Sequence, residues 1–368
     1  MHRAVKTLAI IIVVLLAVAI VTDYLYTRQS VVVPHIVAGA TPSAPIIATH
    51  TFSFEKSRIT ISVPVDAAIY SGAKSTDKSV SIYGNISENT WVAASYLSMI
   101  NDAAQDPLYS DLTARFRKIR DDQKLSSDEY LELMAAYTQS LSYETTPDNP
   151  AKFPVETVVD GTGDCDDKSL LLAGLLSHEG YNVSLLSFSP EAHMALGIGS
   201  TEPQFRDTGY AYLETTNFSY VGVLPDEFNG GITLTSEPLV IPVGSGRTGY
   251  NGGAETAYLH NISTRSKQNV LDLETRIEPL ALNLTTQQNQ ISLLESQMQA
   301  LRSSGNIGAY NAQVSPHNAL VATYNSELAN YRQLVTRYDT WAKIHNYIIS
   351  HAYDRKGTYD WVMANMPA

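Results

Sequence analysis

The stretch Gly161-Thr-Gly-Asp-Cys-Asp-Asp-Lys-Ser-Leu-Leu-Leu-Ala-Gly-Leu-Leu-Ser-His-Glu-Gly180 contains the only cysteine of the chain. A Gly/Asp-rich turn runs into an apolar segment of helical length that closes at Gly180, a residue suited to the left-handed position beyond a helix C-terminus. Cys165 then falls in the first helical turn. With Asp164 as N-cap, Asp167 falls at N3, and the two form a capping-box-like pair that complements the helix dipole. The thiol shares that electropositive end, which favours its thiolate. Asp164, Asp166 and Asp167 oppose this by like charge, so a reactive Cys165 needs an imidazole partner from elsewhere in the chain.

With 368 residues, 44% hydrophobic and 17% charged, the chain is long enough for one large or two medium domains with a real core. Its net charge of -12, with the acidity mostly between residues 50 and 250, argues against sequence-independent binding to nucleic acid, which needs clustered Lys and Arg. A lone cysteine excludes an intrachain disulfide and leaves Cys165 either a buried apolar thiol or a functional one.

Leu8 to Val21 is an unbroken apolar run behind Arg3 and Lys6, followed by Asp23, Tyr24 and Tyr26. Snorkelling Lys6 and the interfacial tyrosines extend it towards a membrane span, so residues 1–26 are expected to anchor the chain, N-terminus cytoplasmic and the rest outside. A cleaved export signal is the alternative, although Ala17-Val-Ala19 lies inside the run and Ala38-Gly-Ala40 far beyond it. Residues 27–50, with Pro34, Pro42 and Pro45, read as an extended linker. Sequons at Asn85, Asn182, Asn217, Asn261 and Asn283 suit an external surface.

A folded domain is expected over residues 51–250. Alternation at Phe52-Ser-Phe54 and Ile59-Thr-Ile61-Ser-Val63 predicts a strand pair. Helical periodicity follows over Trp91–Ile100, Leu108–Ile119 and Ser127–Leu141, the last with Ser127 as N-cap. After Gly180 come strands at Tyr181–Phe188, Ala192–Ile198 and Tyr210–Thr215. His193 shares its face with Ala195 and Gly197, and Glu214 shares its face with Tyr210 and Tyr212; neither lies on the obvious apolar side. Gly244-Ser-Gly246-Arg-Thr-Gly249 matches a dinucleotide-binding pattern, but Tyr-Asn-Gly-Gly follows it and no βαβ unit surrounds it, so it reads as a linker. With no H-E-x-x-H, paired cysteines or P-loop lysine, neither a metal nor a cofactor is expected.

Beyond Gly253, Val270, Leu273, Ile277, Leu280, Leu284, Gln287, Ile291, Leu294, Met298 and Leu301 keep a 3,4 spacing. After a break at residues 303–311, Ser315 caps a second helix with Pro316 at N1, and Val321, Tyr324, Leu328, Tyr331, Val335, Tyr338, Ala342, His345 and Ile349 repeat the spacing. Residues 254–354 therefore read as an antiparallel helical hairpin, kinked at Pro279, serving as a spacer, a partner-binding arm or a self-association surface; residues 355–368 read as a tail.

Thiol chemistry needs a nucleophile, a base within reach and a group that orients the base. Cys165 at a helix start, His193 on the second strand after it and Glu214 at the next offer all three. Gly163-Asp-Cys-Asp-Asp167, Ala192-His-Met-Ala-Leu-Gly197 and Tyr210-Ala-Tyr-Leu-Glu-Thr-Thr216 resemble the transglutaminase-like superfamily of papain-related folds, above all its prokaryotic, membrane-anchored members. The resemblance covers about residues 50–245. It implies an α+β core with an antiparallel sheet, with Cys165 as nucleophile, His193 as general base and then acid, and Glu214 as the orienting acid, where the family more often has Asp. The implied reaction passes through a thioester on a protein or peptide amide, resolved by water or by an amine. The alternative is a surface binding or assembly protein that uses the same domain and the hairpin without catalysis.

Overall fold

The structure is a computed structural model and describes residues 12–19, 21, 29–39, 44–145, 150–202, 204–225, 228, 231 and 233–367. It is mixed α+β, with antiparallel sheets and a long C-terminal pair of helices. The chain divides into two units at Thr256/Ala257. The expected anchor lies mostly outside the described residues; within it 12–19 and 21 are helical, and no described helix is long and apolar enough to cross a membrane.

In the first unit, strands β1 (Ser30–Val32), β2 (Ile46–Phe54) and β3 (Ser57–Val65) come first. The expected linker is therefore partly structured. β2 begins at Ile46 because the alternation of inward residues runs back through His50 and Ala48, which are too small or too polar to announce it. Helix α1 (Ala67–Ser75) and strand β4 (Ser81–Tyr83) follow, and β4 pairs with β1. Helices α2 (Glu88–Ile100), α3 (Asp106–Gln123) and α4 (Ser127–Ser140) contain the three predicted helices. The α4 cap is Ser126 rather than Ser127, because Glu129 then completes a capping box with it.

Strand β5 (Ser142–Tyr143), helix α5 (Pro154–Asp160) and strand β6 (Thr162–Gly163) lead to α6 (Cys165–His178). This is the predicted cysteine helix. Asp164 and Asp167 form the capping box, and Gly180 sits at φ +80 just beyond the last turn. Strands β7 (Asn182–Phe188), β8 (His193–Gly199), β9 (Tyr210–Leu213) and β10 (Leu239–Ser245) make one antiparallel sheet in the order β10-β7-β8-β9. Helix α6 packs on its β7, β8 and β10 strands.

The second face of this sheet is also covered. Phe205, Leu224, Phe228 and Leu234 from the connection between β9 and its neighbours pack on Leu186, Phe188, Ala195 and Tyr212. That layer buries the face that carries His193, which the strand pattern had left outside the core. Gly244–Gly249 is no linker: it ends β10, and a Cβ at Gly246 or Gly249 would strike the carbonyls of Gly180 or Gly199. The glycines there serve close backbone packing.

In the second unit, α7 (Gly253–Ser303) and α8 (Ile307–Ser350) are antiparallel: Ser263 meets His345, Gln287 meets Glu327 and Glu295 meets His317. Helix α7 continues through Pro279, and α8 starts at Asn306/Ile307, so Pro316 lies inside it rather than at N1. All ten predicted seam positions of α7 are buried or half-buried. On α8 eight of the nine predicted seam positions are half-buried and Ile349 is exposed, while the fully buried residues are Leu334, Trp341, Ile344 and Ile348, each one position before a predicted one. The centre of burial shifts there because Leu334-Val335 and Ile348-Ile349 are apolar pairs, and only the packing decides between their members. Residues 355–365, expected as a tail, form helix α9 (Arg355–Asn365).

Leu334→Ala is expected to cost about 2–4 kcal/mol and Val335→Ala under about 1 kcal/mol, measured by chemical denaturation of the full chain followed by circular dichroism. Equal effects would contradict the register.

Candidate active site

Helix α6 presents Cys165 at its first position, N1, whose N–H has no carbonyl to bond inside the helix. The Sγ donates to the Ala192 carbonyl at 3.9 Å and accepts the N–H of Met194, so the thiol sits against the two residues that flank His193. No hydrogen bond joins the thiol to the imidazole among the described residues.

His193 and Glu214 are brought together as expected. His193 Nε2 lies 3.2 Å from Glu214 Oε2 and 3.2 Å from the Tyr212 hydroxyl, which itself donates to Oε2 at 2.7 Å. Glu214 Oε1 accepts the N–H groups of Thr215 (3.0 Å) and Thr216 (2.8 Å) and the Thr216 hydroxyl (2.6 Å). Burial alone would raise the pKa of this carboxyl, which is 1% exposed. The hydrogen bond and charge of His193, with the Thr216 donors, outweigh burial and bring it down to about 2. An anion at Oε2 requires the proton of a neutral imidazole to sit on Nε2. Nδ1 is then the basic nitrogen.

Three residues that complete the site were not anticipated. Tyr212 shares the Glu214 face in the strand pattern, which was the available signal; here it bonds both partners. Gln139 Nε2 donates to the Glu214 carbonyl at 2.8 Å, and its distance along the chain hid it. Lys168 is fully buried, and its Nζ donates to the carbonyls of Gln139 (3.2 Å), Leu141 (2.9 Å) and Thr216 (3.0 Å). Ser169 adds a bond to the Thr215 hydroxyl at 3.0 Å, so the first turns of α6 are tied directly to the end of β9.

The electrostatics at the thiol go against the helix dipole. Burial first, then the charge of Asp166, and further Asp164 and Glu214, push the Cys165 thiol up to about 12, against the N–H of Met194. The Asp166 carboxyl is itself raised well above the usual range by burial and by its contact with Asp164. Asp167 rises to about 6, chiefly by burial, although it accepts the Lys152 N–H at 2.6 Å. The carboxylates of Asp164, Asp166 and Asp167 lie close enough to share a cation, with ligand atoms within 4.8 Å. Their oxygens also cap α6 and accept the Lys152 N–H.

No protein-family model, curated protein or solved structure matches the chain.

Iodoacetamide alkylation of Cys165 in the resting protein is expected to be slow at pH 7 and still rising above pH 9, since the thiol ionises only near 12. Asp166→Asn removes a repelling charge and lowers that pKa, so alkylation at pH 8 should accelerate several-fold. A profile that is flat from pH 6 to 9 and unaffected by the substitution would overturn the assignment.

Proposed function

We propose that this protein is a transglutaminase-like thiol enzyme acting on peptide or side-chain amide bonds, foremost a cysteine peptidase or amidase, displayed on the outer face of a membrane. The observation that carries the reading is the His193–Glu214 pair, Nε2 and Oε2 3.2 Å apart, set beside a cysteine at a helix N-terminus.

The chemistry follows from that arrangement. As an amide carbonyl enters beside Sγ, Nδ1 of His193 takes the thiol proton and the sulfur adds to the carbonyl carbon. The Cys165 N–H faces the developing oxyanion. The imidazolium, stabilised by Glu214, returns the proton to the departing nitrogen, and the C–N bond breaks to leave a thioester on Cys165. Water, deprotonated by the same imidazole, releases an acid; an amine in its place gives a cross-link. Each step is neutral overall, and no cofactor enters.

A second reading is favoured by one observation. Leu271, Leu282 and Leu293 are 49%, 66% and 61% exposed on α7. Their spacing of eleven residues places them along one face. Such a stripe suits a protein that captures partners with its helical unit and uses the first unit for binding. Changing all three leucines to serine should then abolish capture of a cell-surface partner, while Cys165→Ser leaves it intact, as read by pull-down from intact cells.

For the enzyme, Cys165→Ser should abolish the appearance of new N-termini in labelled cell-surface proteins. His193→Ala should reduce the rate about 10²–10⁴-fold, and Glu214→Gln by a smaller factor. Undiminished cleavage by Cys165→Ser would exclude the reading.

A further inference from the structure

A cleft of about 480 Å³ opens between α2, β4 and the turn at Pro150–Ala151, and it ends at Asp166, the residue after Cys165. Its size is that of pockets that enclose a ligand of a few residues. Ile82, Trp91, Met99 and Pro150 give it apolar walls. Tyr96 adds an aromatic ring whose hydroxyl makes no hydrogen bond among the described residues. Burial, and further the neighbouring Asp166 carboxyl, raise the pKa of its phenol.

Among the described residues, two lining groups carry formal charge, and both are already paired. Lys78 Nζ is 2.8 Å from a Glu156 oxygen, in a pair whose side chains are 10% and 2% exposed. The Asp166 carboxyl is engaged with Asp164 and with the N–H of Asp167. A charged side chain entering here would lose its hydration and find no free counter-charge. An aromatic or branched aliphatic side chain would lose water on the faces that meet Ile82, Trp91, Met99 and Pro150.

Building on the thiol-enzyme reading, we propose that this cleft is the subsite that selects the substrate: it takes an aromatic or branched aliphatic side chain from the residues flanking the reacting carbonyl. The substrates are then apolar segments of extended polypeptide. Asp166, the residue after Cys165, lines the end of the cleft, and Tyr96 in its wall is near enough to Cys165 to interact with it electrostatically, so the proposed pose seats a side chain in the cleft with the neighbouring carbonyl directed towards Sγ.

The test separates binding from chemistry by using the full chain with Cys165→Ser, which cannot form a thioester. Four peptides, N-acetyl-Ala-Xaa-Gly-amide with Phe, Leu, Asp or Lys at Xaa, are titrated against tryptophan emission. The Phe and Leu peptides should change the emission with a Kd at least about ten-fold below that of the Asp and Lys peptides. The change should vanish in Trp91→Phe, which leaves Trp341 and Trp361 in place. Ile82→Lys, at a position already 41% exposed and so tolerant of the change, should weaken the Phe peptide by a similar factor. Equal affinities for the four peptides, or a signal that survives Trp91→Phe, would overturn the subsite. Apolar preference in a protein whose native Cys165 cleaves nothing would sustain the subsite and remove the enzyme reading. Cys165-dependent cleavage without apolar preference would do the reverse.

Discussion

Three main-chain carbonyls from two separate parts of the chain converge on one ammonium. Lys168 Nζ binds Gln139 and Leu141 at the end of α4 and Thr216 beyond β9, from inside a helix whose first residue is Cys165. Burial draws its pKa down to about 8, against the charge of Glu214, so it is still protonated at neutral pH with all three N–H groups in use. Losing the ammonium would leave three buried carbonyls unpaired, each costing about 1–3 kcal/mol. This one group fixes how far the helix that carries the thiol stands from the strand end that carries Glu214. Gln139 and Ser169 repeat the same link from either side. The site is thus held by its backbone, with the Cys165, His193 and Glu214 side chains left to their own hydrogen bonds.

The same construction explains why a carboxylate is tolerated at 1% exposure. Five donors converge on its two oxygens: His193, Tyr212, the N–H groups of Thr215 and Thr216, and the Thr216 hydroxyl. Glutamate is one methylene longer than aspartate. Here the extra reach lets Oε1 fold back on the two threonines while Oε2 faces the imidazole. His193 is packed as well as bonded, with Phe228 at 4.6 Å and Phe188 at 6.4 Å between ring centroids.

What could be read in advance follows from the range of the interactions involved. The cap pair Asp164/Asp167, the closing Gly180, the strand that bears His193 and the strand that ends at Leu213, one residue before Glu214 and two short of the expected Thr215, are local, and the sequence displays each within a few residues. The burial of His193 was invisible because the layer that covers it comes from residues 200–238, which have no periodicity to announce them. Nothing local marks Lys168, since its three acceptors lie 27 to 48 residues away. On α8 the 3,4 spacing gave a seam, yet Leu334-Val335 and Ile348-Ile349 are apolar pairs, and a pattern cannot choose between adjacent apolar residues. Helix α9 and the strand at Ser30–Val32 are short and owe their form to what they pack against.

The balance at the thiol is decided by magnitude. A helix N-terminus favours a nearby anion by about 0.3–1 kcal/mol, less than one pH unit of acidity. Moving the thiol from 9.0 to about 12 corresponds to about 4 kcal/mol in the opposite sense, from burial and from Asp166, Asp164 and Glu214. The dipole cannot win that contest, so a preformed thiolate is not the resting state of this arrangement. Reactivity, where it occurs, has to come from proton transfer to His193 as the carbonyl arrives. Then the negative charge passes from sulfur to the carbonyl oxygen, away from the aspartates. Under the thiol-enzyme proposal, burial and the acidic cluster that caps α6 would hold the thiol protonated at rest and leave attack to a step concerted with proton transfer to His193.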